Sequence, residues 1–163
     1  MKKNIIIAVI ATVVLQLFVP LYMIWEKYDI LRTGEEVKMR VEPLDPYDAF
    51  RGRYVSLRYA YDLEYDERRG RYGILEMDED GFSKIKMVSK ERPENGLYLT
   101  DKDDDYFTVP LNRYYMEETL APEAEKAMAD GADAYVTIRI KGDKSVISGL
   151  YANGMPIEEY LNK

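Results

Sequence analysis

Apolar and polar positions alternate with two different periods along this chain, and at its start they do not alternate at all. From Ile5 to Trp25 there is no charged residue. At about 1.5 Å per residue that run is long enough to cross a hydrocarbon core of roughly 30 Å. It shows no polar face, so the pattern predicts a membrane helix rather than a buried core helix. Gln16 and Pro20 are its only irregularities, and a membrane helix tolerates both. Lys2 and Lys3 precede it, which favours a cytoplasmic N-terminus. A cleaved signal peptide fits less well. The apolar run exceeds the usual ~7–15 residues, and Glu26, Lys27, Tyr28 and Asp29 follow it in place of a small-residue cleavage site. The expected division is therefore an anchor over residues 1–27 and an extracytoplasmic domain over 28–163.

Beyond the anchor, period two takes over, the mark of half-buried strands. After a connector, Val37, Met39 and Val41 alternate with charged residues until Pro43 and Pro46 end the run. A longer strand follows, with Val55, Leu57, Tyr59, Tyr61, Leu63 and Tyr65 on one face. Tyr54, Ser56, Arg58, Ala60, Asp62 and Glu64 lie on the other. Turn residues at 66–70, 78–81 and 92–96 separate further strands, in one of which Phe82, Ile85 and Met87 fall roughly in alternation. Two successive hairpins suggest an antiparallel meander. Residues 106–116 read as extended. One helix is predicted over Pro122–Ala129, with Gly131 as its stop. A last hairpin turns at residues 141–144. The fold class is α+β: mainly an antiparallel β-sheet domain with one helix, behind an N-terminal transmembrane helix.

Charge and composition then narrow the chemistry. The first 27 residues hold three lysines and one glutamate, so 20 basic and 29 acidic side chains remain, a net charge near −9. Such a domain repels nucleic-acid phosphates and is expected to stand off an anionic lipid surface. Cysteine and histidine are both absent. That excludes disulfides, thiolate chemistry, zinc sites of the sulfur type and every triad built on histidine.

Three constellations remain to be weighed. Asp101, Asp103 and Asp105 have the spacing with which a calcium loop begins, but Tyr106 and Asn112 stand where that loop needs glycine and a bidentate glutamate. No metal or cofactor is expected. A Ser-Lys dyad of the signal-peptidase type needs a serine ahead of the proline-containing segment, and Glu42 precedes Pro43. A carboxylate hydrolase would draw on Glu117 or Glu118 with an aspartate of the 101–105 loop. No complete catalytic set is legible. Tyrosine is the compositional excess, with 15 in the chain. Most suit half-buried strands, whereas tyrosines beside arginines on a wet face suit a binding surface.

These residues resemble a known family. Gly52, Tyr54, Leu57 and Tyr59 fit the signature of the GDYXXLXY proteins, with Asp45, Pro46, Asp48 and Arg51 ahead of it. Arg113-Tyr114-Tyr115 followed by Glu117 or Glu118 is similar to the family's second block, and residues 134–154 to its last hairpin. Arg53 stands where the signature has aspartate, so a role resting on that acid is not carried over. The resemblance implies a bacterial single-pass membrane protein of unknown function, encoded beside multi-spanning membrane proteins that hint at a shared complex. On the residues themselves, the expected binding edge is Arg51, Gly52, Tyr54 and Arg58, with Arg113, Tyr114 and Glu117. Its expected occupant is a membrane-protein or envelope partner. A small anionic ligand held by Arg51, Arg53 and Arg113 is the remaining alternative. Oligomeric state is not legible.

Overall fold

The computed structural model describes residues 2–43, 54–61 and 63–162. Helix α1, Lys2–Thr33, contains the charge-free run and continues through Pro20. From Lys3 to Thr33 it is long and apolar enough to cross a membrane. Where a connector was expected, the helix persists to Thr33 and strand β1, Glu35–Pro43, begins two residues later. Gly34 makes that abrupt change possible. Its N–H donates to the Ile30 carbonyl at 2.8 Å, and a β-carbon there would lie 2.5 Å from that same oxygen.

The strands β2 (Tyr54–Tyr59), β6 (Arg113–Tyr115), β7 (Ala134–Lys141), β8 (Lys144–Ala152) and β9 (Met155–Pro156) join β1 in a six-stranded sheet. Its order is β6-β2-β1-β7-β8-β9, with antiparallel pairing throughout. The strands β3 (Tyr72–Met77), β4 (Ser83–Ser89) and β5 (Tyr98–Thr100) form a second sheet in the order β4-β3-β5. The expected meander is thus broken: β2 joins the six-stranded sheet instead of pairing with β3, β3 and β4 form the one hairpin expected there, and β5 lies on the far side of β3. Helix α2, Ala121–Ala129, matches expectation, and a further short helix, α3, Ile157–Leu161, follows β9.

One continuous core joins both sheets and the two short helices. It includes Val37, Met39 and Val41 of β1, Val55 and Leu57 of β2, Val136 and Ile138 of β7, Leu99 of β5, and Ala124 and Met128 of α2. Period two therefore identified the buried faces of β1 and, at Val55, Leu57 and Tyr59, of β2.

Two local patterns depart from alternation. The strand expected to reach Tyr65 ends at Tyr59, and a short 3-10 helix occupies Tyr65–Arg68. The Glu64 N–H donates to the Glu67 carboxylate at 2.9 Å, so a local cap replaces ladder pairing. In β4, Ile85 is buried but Met87 is exposed. Ile74 faces Met87 while Leu75 faces Ile85, leaving Lys86 as an extra residue that shifts the alternation.

Candidate functional site

The register between β2 and β6 brings separated parts of the sequence together. Tyr54 lies opposite Tyr115, Val55 opposite Tyr114, and Ser56 opposite Arg113. Side chains alternate across a sheet, so Tyr54, Arg113 and Tyr115 share one face while Val55 and Tyr114 share the other. The first three form a compact group. The Tyr54 and Tyr115 rings meet edge-on with centroids 5.8 Å apart. The Arg113 guanidinium lies 4.9 Å from the centre of the Tyr54 ring. Strand β6 is at the sheet's edge, and Tyr115 is 68% exposed.

The other expected residues have different surroundings. Tyr114 is half-buried and donates its hydroxyl to Glu158 of α3 at 2.9 Å. Burial first, and the Glu158 carboxylate second, push its pKa up to about 12. Glu117 is exposed, accepts the Thr119 hydroxyl at 3.1 Å, and offers its carbonyl to the first turn leading into α2. Arg58 is exposed on β2. Arg51, Gly52 and Arg53 lie outside the described residues. The structure thus joins Tyr54 and Arg113, and ties Tyr114 to α3 instead.

Tyr115 is the member that sequence reasoning left out of the edge. Its neighbour Tyr114 was chosen, and only the β2–β6 register decides which of the two shares a face with Tyr54. Glu125 was missed as well. It is buried on α2 and accepts the Ser56 N–H at 3.2 Å. Helical spacing carries a signal, because positions 121, 124, 125 and 128 make one stripe and Glu125 is its polar member. That hydrogen bond also explains why Ser56, expected on the wet face, is buried.

The acidic loop caps its own backbone. The Asp101 carboxylate accepts N–H groups of Lys102, at 2.6 Å, and Thr108, at 2.7 Å. Asp103 accepts from Asp105 at 3.0 Å, and Arg71 pairs with Asp104 at 3.4 Å. Among the described residues, no group of three or more carboxylates converges as a metal site requires.

A cleft of about 550 Å³ runs beside the edge, lined by Arg113, Tyr114 and Tyr115, by Ser145, Val146 and Ile147 of β8, and by Lys27 of α1. The edge therefore lies near the far end of the apolar helix. That end is clamped to the β7–β8 hairpin. Lys144 pairs with Glu26, Lys141 donates to Asp29 at 2.5 Å and to the Thr33 hydroxyl at 2.8 Å, and Ile30 is buried. The Arg139 guanidinium donates to the Gly34 carbonyl at 3.1 Å and pairs with Glu36 at 2.6 Å.

A family model described as GDYXXLXY protein matches residues 16–150. The chain belongs to the GDYXXLXY family. No curated protein and no solved structure matches it. The family's tyrosine-leucine-tyrosine signature falls on β2, where Leu57 and Tyr59 are buried and Tyr54 stands in the Tyr/Arg group. The Tyr59 hydroxyl donates to the Leu111 carbonyl at 2.7 Å, which fastens the chain entering β6 to the signature strand. Burial raises the Tyr59 pKa. The signature is thus half packing and half surface.

Proposed function

We propose that this protein is a membrane-anchored interaction domain that docks, through the edge formed by β2 and β6, on a membrane-embedded partner. The observation that carries this reading is the group of half-buried Tyr54 with exposed Arg113 and Tyr115, beside a cleft that Lys27 of α1 also lines. Tyrosine and arginine dominate interface hot spots, and an edge at the end of a membrane helix meets membrane proteins first. Residues 1–27 act as an uncleaved anchor, and residues 28–163 form the extracytoplasmic domain of a bacterial protein. Lys2 and Lys3 support that orientation. Retention of the anchor is supported by the ties from Glu26, Asp29 and Ile30 to the domain, which hold the stretch directly after the apolar run in the folded helix.

The test is a photo-crosslinker placed at Tyr115 in the full-length protein in its own membranes, beside the same protein carrying Tyr54→Ala and Arg58→Ala. A specific multi-spanning partner that is lost in the variant supports docking. Partners that persist in the folded variant refute the edge.

A further inference from the structure

We propose that the cleft between α1, β6 and β8 is a site for the headgroup of one anionic phospholipid in the leaflet where α1 leaves the membrane. The site goes beyond the docking edge: it shares Arg113 with that edge and adds Lys27 and Ser145 from the other side of the cleft. Lys27 and Arg113 are the charged side chains lining it, and no carboxylate does so. In a domain with a net charge near −9 this is a local reversal of sign. The neighbouring acids of α1 are already committed, Glu26 to Lys144 and Asp29 to Lys141. Among the described residues Lys27 makes no salt bridge, and its side chain is exposed.

Depth and shape support the same occupant. Lys27 follows Trp25, the last residue of the charge-free run, by two positions, which puts its ammonium at headgroup level. The cleft adds Ser145 of β8 to the two cations, with Leu111 and Ile147 as apolar lining. Lys27 also borders an apolar patch of α1 made by Met23, Ile24, Tyr28 and Leu31. Tyr28 and Leu31 lie beyond the charge-free run and are 61% and 40% exposed. One lysine therefore joins a basic cleft to an apolar helix face, the two surfaces that a phospholipid presents together. A single headgroup held this way is compatible with an acidic domain that repels anionic lipid elsewhere.

The test uses full-length protein reconstituted in phosphatidylcholine nanodiscs with and without phosphatidylglycerol, released and weighed by native mass spectrometry. Retention of one phosphatidylglycerol per chain, in preference to phosphatidylcholine, is expected. A basic residue near the surface contributes about fivefold to such binding, so Lys27→Gln should lower retention by about that factor. Ser145→Glu, which places a carboxylate in the cleft without touching β6, should lower it as well. Circular dichroism confirms that each variant folds. Equal retention of the two lipids overturns the proposal, as does retention unchanged in both variants. Displacement by glycerol phosphate at the same concentration would make this a free-phosphate site and overturn the lipid assignment. The Tyr54→Ala, Arg58→Ala protein should keep its lipid, so failure of the docking edge and failure of the lipid site are read separately.

Discussion

Gly73, the second residue of β3, lies between Val88 of β4 and Leu99 of β5, and the ring of Phe107 fills the space where its side chain would be. A β-carbon there would be 2.4, 2.6 and 2.9 Å from three ring atoms of Phe107. Ordinary carbon contacts are about 3.5–4.0 Å, so the ring would have to retreat by roughly 1 Å. It has no room to do so. Phe107 is fully buried, and its N–H is fixed to the Arg68 carbonyl at 2.8 Å. Overpacking of this kind costs about 1–3 kcal/mol. Replacing glycine within a strand returns roughly 0.5–1 kcal/mol of backbone entropy. Gly73→Ala should therefore destabilise the protein by a net ~1–2 kcal/mol. The assay is urea unfolding of the full-length chain in micelles, followed by circular dichroism. A cycle with Phe107→Leu isolates the contact, because the smaller side chain removes the clash. The double variant should be more stable than the sum of the singles predicts by about 1 kcal/mol. A neutral or stabilising Gly73→Ala, or strict additivity in the cycle, would refute the argument.

Glu125→Gln keeps an acceptor for the Ser56 N–H and should unfold close to wild type, whereas Glu125→Ala should cost about 1–3 kcal/mol in the same urea assay. Tyr114 keeps its proton in the folded protein up to about pH 12, while the unfolded side chain loses it near its ordinary value of 10. Between those values the native state binds more protons, so this contribution, complete below pH 10, is lost as pH rises towards 12. Tyr114→Phe should flatten the decline of stability in that window, and alkaline melts will show whether it does. Gly34→Ala would crowd the carbonyls of Ile30 and Ile140, at 2.5 and 3.1 Å. Faster hydrogen exchange over residues 33–36 and at Ile140 is expected, with the exchange of β3 unchanged.

Much of this protein was legible because its determinants are local. The absence of charge from Ile5 to Trp25 needs no partner to make the segment apolar. Alternation in β1 and β2 identified their buried faces, since a one-residue slip would expose either of them. The last hairpin follows from Gly142, which takes a φ of +59° in the turn. What failed was alternation carried too far: β2 stops at Tyr59 and the chain turns into a capped 3-10 helix at Tyr65, and an extra residue at Lys86 turned Met87 outward.

The candidate site depended on long-range pairing. Residues 54 and 115 are 61 positions apart, and no local pattern says which residue of Tyr114-Tyr115 meets Tyr54. The sheet register decides it by placing Tyr115 with Arg113 on the open face and Tyr114 against α3. The clamp between α1 and the β7–β8 hairpin was hidden for the same reason, since Glu26 and Lys144 become neighbours only after the sheet has formed. By itself the sequence determined an apolar helix, an acidic β-rich domain and the buried half of the signature strand. Tertiary structure alone decided which tyrosines face outward and that the helix enters the sheet without a linker. Burial preference acts on each residue separately, whereas an edge or a cleft exists only between segments.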